Sequence, residues 1–193
     1  MGKMHLEGVT LIELMVTLAL AAILVAVSVP ALSNLIDNSR MNSAVNDFVS
    51  TVHFARTEAV KRRRNVVICP SGNWDADNPS CDDTGFEQGW IVFNDEDGDQ
   101  EAGAGEVLKT HAPLPDKIAD NYSTDLVSPQ RITFSELGVP STGADPEVPV
   151  NFVLCDHRGD QDLGGDIAAG RVIQLSLTGR PRIYSRTDQV NCG

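Results

Sequence analysis

The residues best suited to chemistry sit in one acidic run, NDEDGDQEAGAGE, at positions 94–106. Asp95, Asp97, Asp99 and Glu106 fall at the first, third, fifth and twelfth positions of an EF-hand-type calcium loop, in which carboxylate oxygens replace the ion's water. The sixth position of such a loop is a glycine. Here it is Gln100, and the nearby Gly98 is misplaced. The run also lies between two expected strands rather than two helices. The reading is therefore a solvated acidic hairpin loop, with no metal or other cofactor expected and these four residues as the only metal candidates.

The histidines offer no catalytic arrangement. His5 precedes the first expected element, His53 lies within a helix, and His111 and His157 have no serine or cysteine nucleophile signature near them. The chain is expected not to be an enzyme. Its cations are more suggestive. Lys61, Arg62, Arg63 and Arg64 end a helical pattern, where positive charge favours the macrodipole and the free carbonyls. In LTGRPRIYSR, a turn at Thr178-Gly179 would put Arg180 and Arg182 on the same face of a strand, with Arg186 further along it. Guanidinium forks match phosphate oxygens, and a few of them suffice for weak, salt-sensitive contact with DNA. Ion pairing with the abundant carboxylates is the competing reading. A formal net charge of -12 disfavours nucleic-acid or anionic-lipid binding over the whole surface.

Four cysteines, Cys69, Cys81, Cys155 and Cys192, all follow the apolar N-terminal run, and none stands in a CxxC spacing. An even number behind an export segment points to two disulfides in an oxidising compartment. Of the three pairings, Cys69–Cys81 with Cys155–Cys192 is favoured, because each bridge then closes a loop or pins the C-terminus.

The elements that must position these residues begin with VTLIELMVTLALAAILVAVSV, residues 9–29. About 21 apolar residues rise roughly 30 Å as a helix, the thickness of a bilayer core. The run is too long for an ordinary signal core, so it reads as a retained transmembrane helix. Glu13 interrupts it, at a cost of about 3 kcal/mol in hydrocarbon. A carboxylate in that position needs a partner. A cut after Gly8 would supply one, the new amino group of Val9, in the same or a neighbouring subunit.

Gly8 followed by Val-Thr-Leu-Ile-Glu-Leu resembles the processing motif of type IV pilins and pseudopilins, and Pro30 falls at the offset of their helix-kinking proline. The resemblance implies cleavage after Gly8 by a prepilin peptidase, methylation of Val9, and a role for Glu13 in recruiting and registering subunits during filament assembly. Val9 stands where Phe is usual, and Glu7 where a basic residue is frequent.

Beyond Pro30, Met41, Val45, Phe48, Val52, Ala55 and Ala59 continue one apolar stripe to about Arg64. The signal then changes to short β runs at 65–69, 89–93, 106–111, 131–134, 150–155, 171–177 and 180–185, separated by loops rich in Gly, Pro, Asp and Asn. The expected class is α+β: a long N-terminal helix, half transmembrane and half amphipathic, packed on an antiparallel β-sheet head. Its expected parts are a leader (1–8), a transmembrane helix (9–29), its amphipathic continuation (30–64) and a β-rich head (65–193). ARTEAVKRR, VVICPS, GWIVFNDEDGD and LTGRPRI, in that order, are similar to the GspH/FimT family of minor pilins and minor pseudopilins.

That likeness implies a minor type IV pilin, a structural subunit for initiating or tipping the filament. It would be anchored by one pass in the inner membrane with its head in the periplasm, and partnered by the prepilin peptidase and by other minor and major pilins or pseudopilins. Two alternatives accompany it. One is a DNA-binding subunit for natural transformation, since Gly179-Arg180-Pro181-Arg182 is similar to the pattern associated with DNA uptake in FimT-type minor pilins. The other is a minor pseudopilin of a type II secretion system.

Overall fold

The structure, a computed structural model, describes residues 10–119, 122–124, 126, 130–142 and 149–192. The leader and the cleavage position, Gly8 and Val9, lie outside the described residues. The chain forms two compact units, Met1–Ser39 and Arg40–Gly193.

Helix α1, Leu11–Arg62, contributes to both. Thr10 caps its start: the Thr10 hydroxyl accepts the amide of Glu13 at 3.3 Å, and the Thr10 carbonyl accepts the amide of Leu14 at 3.1 Å. Leu, Ala and Met dominate the following turns, all strong helix formers. The assigned helix continues through position 30. It closes where Arg63 turns left-handed, φ 54°, and the amide of Arg64 reaches the carbonyl of Ala59 at 3.3 Å. That six-to-one bond is a helix stop usually made with glycine. Among the described residues, no helix is long and apolar enough to cross a membrane.

In the second unit the expected stripe is buried: Met41, Val45, Phe48, Val52, Ala55 and Ala59 are each at most 4% exposed. Two antiparallel sheets complete this unit. The first runs β3 (Val107–His111), β2 (Trp90–Asp95), β1 (Asn65–Pro70), β5 (Ile132–Phe134), β6 (Pro140–Ser141). The second runs β4 (Tyr122–Thr124), β7 (Val150–Leu154), β8 (Ile167–Leu175), β9 (Pro181–Arg186). Phe48 joins them, its ring centroid 5.7 Å from Trp90, 4.6 Å from Phe152 and 5.5 Å from Phe86. Val66, Ile68, Val92, Ile132 and Phe134 of the first sheet share this core with Val150, Leu154, Ile173 and Leu175 of the second.

Strand alternation gives the first sheet a second apolar face. Val67, Cys69, Ile91 and Phe93 form a separate cluster there, covered by Trp74, Cys81, Ala102 and Val107 from the neighbouring loops and β3. Both expected disulfides form. Cys69–Cys81 closes 12 residues over that face, and Cys155–Cys192 closes 37 and ties the C-terminus to the end of β7. Chain-entropy estimates put them at about 3 and about 4 kcal/mol.

The expected antiparallel head is thus built as two sheets, of five and four strands. The segment between β3 and β7, with few long apolar runs, supplies the short α2 (Asp116–Ala119), β4 and β6, which the sequence reading did not predict. β8 also starts four residues before the expected 171. Its opening, Ile-Ala-Ala-Gly, is a weak strand signal by composition. The glycine is demanded by the bridge: a Cβ on Gly170 would sit 3.0 Å from the sulfurs of both Cys155 and Cys192.

Candidate functional site

Three places expected to do something can be located. The first is the start of α1. Glu13 occupies the third helical position, with Thr10 three residues earlier, a spacing that caps helices with a hydroxyl and a carboxylate. The sequence carries this signal as Thr-x-x-Glu, Thr10 to Glu13, at the start of the apolar run. A carboxylate in a first turn faces the positive end of the helix dipole, so Glu13 is better accommodated there than a mid-helix charge would be. Around it Leu11, Ile12 and Met15 are exposed, and so are Leu18, Ile23 and Leu24 further on, so among the described residues from Leu11 to Ala26 apolar side chains are uncovered around the whole axis.

The second is the β8–β9 turn. The amide of Gly179 donates to the carbonyl of Ser176 at 2.8 Å, and the amide of Ser176 to the carbonyl of Arg180 at 3.1 Å. Gly179 takes φ +74° and is buried, and a Cβ there would lie 3.0 Å from the Phe134 ring and 3.1 Å from the Gly138 carbonyl. Only glycine satisfies both the dihedral and the close approach of the β5–β6 hairpin. Arg180 and Arg182 are exposed, as expected, and among the described residues neither guanidinium has an ion-pair or hydrogen-bond partner. Arg186 is different, because it pairs with Asp188 at 3.1 Å.

The third is the acidic loop after β2. Asp95 is the last residue of that strand, opposite Asn65, and it is 3% exposed. Its Oδ1 accepts the amides of Gly98 at 2.9 Å and Gln100 at 3.4 Å, while its buried Oδ2 has no hydrogen-bond partner among the described residues. Asp97 Oδ1 accepts the amide of Asp99 at 3.3 Å, and Asp99 Oδ1 accepts that of Glu101 at 2.7 Å. One oxygen from each aspartate lies within 4.8 Å of the others. Glu106 is set apart from this group. Its two oxygens accept the amides of Glu96 at 3.1 Å and Gly103 at 2.7 Å. Arg64 donates to the Glu96 carbonyl at 2.8 Å and Arg131 to Glu101 at 2.7 Å, tying the loop down on two sides.

The basic helix end is largely engaged within the fold. Lys61 and Arg62 both grip Glu58, at 3.1 and 2.6 Å, and the hydrogen bonds from Arg62 and then Lys61 hold the Glu58 carboxyl below its ordinary range. A buried pair was not foreseen: Arg158 binds Asp156 at 2.6 Å, with side chains 5% and 3% exposed. Burial pushes the Asp156 carboxyl up, but the bonds from Arg158 outweigh it and leave the group lowered. Nothing in Asp-His-Arg as a string marks it as a buried ion pair.

The fold is similar to that of the type IV minor pilin FimU of Pseudomonas aeruginosa, in two crystal forms. One matches with a TM-score of 0.52 at 18% identity, covering 80% of this chain and 96% of that one. The other matches at 0.50 and 17%, covering 79% and 99%. No curated protein sequence matches the chain. The model of the GspH family, described as type II transport protein GspH, matches residues 44–179, from the buried stripe of α1 to the β8–β9 turn, and the chain belongs to that family.

Proposed function

We propose that this chain is a minor pilin, a structural subunit that initiates or tips a type IV pilus. The observation that carries this reading is the contrast within α1: an apolar first half uncovered on all sides, with one carboxylate in its first turn, and a second half packed into a closed head. In this reading, which rests on the apolar run of residues 9–29, the exposed half lies in a bilayer before assembly and in a bundle of like helices afterwards. Processing after Gly8 by a prepilin peptidase would place the amino group of Val9 four residues from Glu13, and methylation would follow on Val9. The head would then face the periplasm from a single-pass anchor in the inner membrane.

Glu13→Ala is the test. The variant should reach the membrane and be processed, with its head melting unchanged, yet its incorporation into filaments should fall about tenfold or more, as expected for an uncompensated partner charge. Normal incorporation would overturn the assembly role. A pilus and a secretion pseudopilus are told apart by deletion: loss of surface pili and their motility supports the first, and loss of exoprotein secretion with pili intact supports a minor pseudopilin.

A second reading, contact with DNA, is favoured by one observation, the unengaged pair Arg180 and Arg182 on an exposed hairpin. Titrating the full chain in detergent with duplex DNA at low salt should show binding that weakens steeply with salt and in Arg180→Ala/Arg182→Ala. Absent or unchanged binding would remove this reading and leave the assembly role standing.

A further inference from the structure

We propose that the loop between β2 and β3 is a divalent-cation site, with Asp95, Asp97 and Asp99 as its side-chain ligands and calcium as its ion. This proposal stands apart from the assembly role. Its strongest support is a buried carboxylate oxygen without a partner. Asp95 spends Oδ1 on two loop amides and leaves Oδ2 buried with no donor among the described residues. Leaving a charged oxygen in that state is costly unless something positive meets it. One carboxylate oxygen from each of Asp95, Asp97 and Asp99 lies within 4.8 Å of the other two. Three like charges that close repel one another, and a shared cation converts the repulsion into ligation.

The loop backbone removes the main objection raised by the sequence. Glycine is preferred at the sixth position of a calcium loop because that residue turns left-handed and presents its amide to the first aspartate. Gln100 does both here: its φ is +62°, and its amide donates to Asp95 Oδ1. The side chain at that position is therefore not the obstacle it is in the sequence pattern.

The donor set selects the ion. All three donors are hard carboxylate oxygens on a loop, with no imidazole or thiolate in the group, which suits calcium over zinc. Magnesium demands tighter octahedral geometry and gives up its water reluctantly. Glu106 is committed to the amides of Glu96 and Gly103, so the bidentate ligand that closes a high-affinity loop is missing. Arg63 and Arg64 also line the cleft beside Asp95 and Asp97 and weaken attraction for a cation. The Nη1 of Arg64 is nevertheless turned to the Glu96 carbonyl. Both features place the affinity in the weak range of extracellular calcium modules, a Kd of about 0.1–1 mM.

The full chain, purified in detergent and stripped with a chelator, can be titrated with calcium chloride by calorimetry while hydrogen exchange follows residues 96–106. One saturable site in that range is expected, together with slower exchange confined to the loop and at least roughly tenfold weaker binding of magnesium. Asp97 and Asp99 are exposed, so Asp97→Asn and Asp99→Asn should fold normally without calcium, which an unchanged melting temperature would verify. Each should weaken calcium binding about tenfold or more, because affinity falls with the number of charged ligands. Failure to saturate by about 10 mM calcium, well beyond the weak module range, would overturn the proposal. So would binding that Asp97→Asn/Asp99→Asn leaves unaltered.

Discussion

Leu11, Ile12 and Leu24, in the first half of α1, expose 77%, 71% and 68% of their surface, whereas Met41, Val52, Ala55 and Ala59, in the second half of the same helix, expose 1% or less. Intrinsic propensity does not separate the halves, because both are rich in strong helix formers. Pattern does. From Leu11 to Ala26 apolar residues recur at every angle around the axis, while beyond Arg40 they keep to one stripe with Asn, Asp, Arg and Lys opposite. The stripe can be satisfied by two sheets of its own chain. A helix apolar on all faces needs an environment that surrounds it, whether lipid or neighbouring helices, so the contrast assigns the stability of the head to the second half, and the proposed assembly role falls to the first.

The sharpest way to break that division is to make equivalent cuts in each half. Phe48→Ala removes the ring that contacts Phe86, Trp90 and Phe152, and should cost the head about 4 kcal/mol of unfolding free energy in denaturant. Leu24→Ala deletes a similar apolar volume from an exposed position and should leave the same transition within about 0.5 kcal/mol. Equal losses from the two substitutions would mean that the exposed half contributes to the stability of the head, and the division would fail.

A second cut tests the other side of the contrast, charge held inside the head. Arg158→Ala leaves Asp156 buried without its principal partner and should destabilise by about 3 kcal/mol at neutral pH. The pH dependence follows from the lowered Asp156 carboxyl. The native state holds fewer protons there than the unfolded chain, so the contribution is full above the ordinary value of 3.8 and is lost as pH falls through the folded value. Wild type should therefore lose stability in acid below about pH 4, and Arg158→Ala should lose less over the same window. Parallel acid melts for the two proteins would show that this pair does not set the slope.

Much of this was readable from residue order. The 3.6 period of Met41 to Ala59 and the β runs at 65–69, 89–93 and 150–155 correspond to buried elements because each has a strong local pattern. The same holds for the turn at Thr178-Gly179, where a left-handed position demanded glycine. What was missed depends on contacts distant in sequence. Ile-Ala-Ala-Gly is strand through pairing beyond its own residues, Ile167 with distant Arg186 and Ala168 with Asp162, while Gly170 leaves room for the disulfide, and the Asp156–Arg158 pair is buried by packing that no short window contains. Gln100 shows the same dependence on distant context. The fold imposes a left-handed turn on a residue that seldom takes one.

The smallest effect lies at Arg63, the helix stop at the far end of the packed half. Arg63 holds φ 54° where a glycine would be unstrained, and its side chain borders the cleft beside Asp95 and Asp97. Arg63→Gly should relieve the backbone, with a net gain of up to about 1 kcal/mol after the glycine's extra freedom in the unfolded chain is counted. Arg63→Ala keeps the strain and should give no such gain, so the difference between the two isolates the dihedral from the charge. Both substitutions remove a cation from the acidic cleft, and calcium should bind either variant somewhat more tightly than wild type. A gain in stability shared by Gly and Ala would instead place the cost in the arginine's charge. Tighter calcium binding without any gain in stability would show that the left-handed turn is already well accommodated by the bond from Arg64 to Ala59.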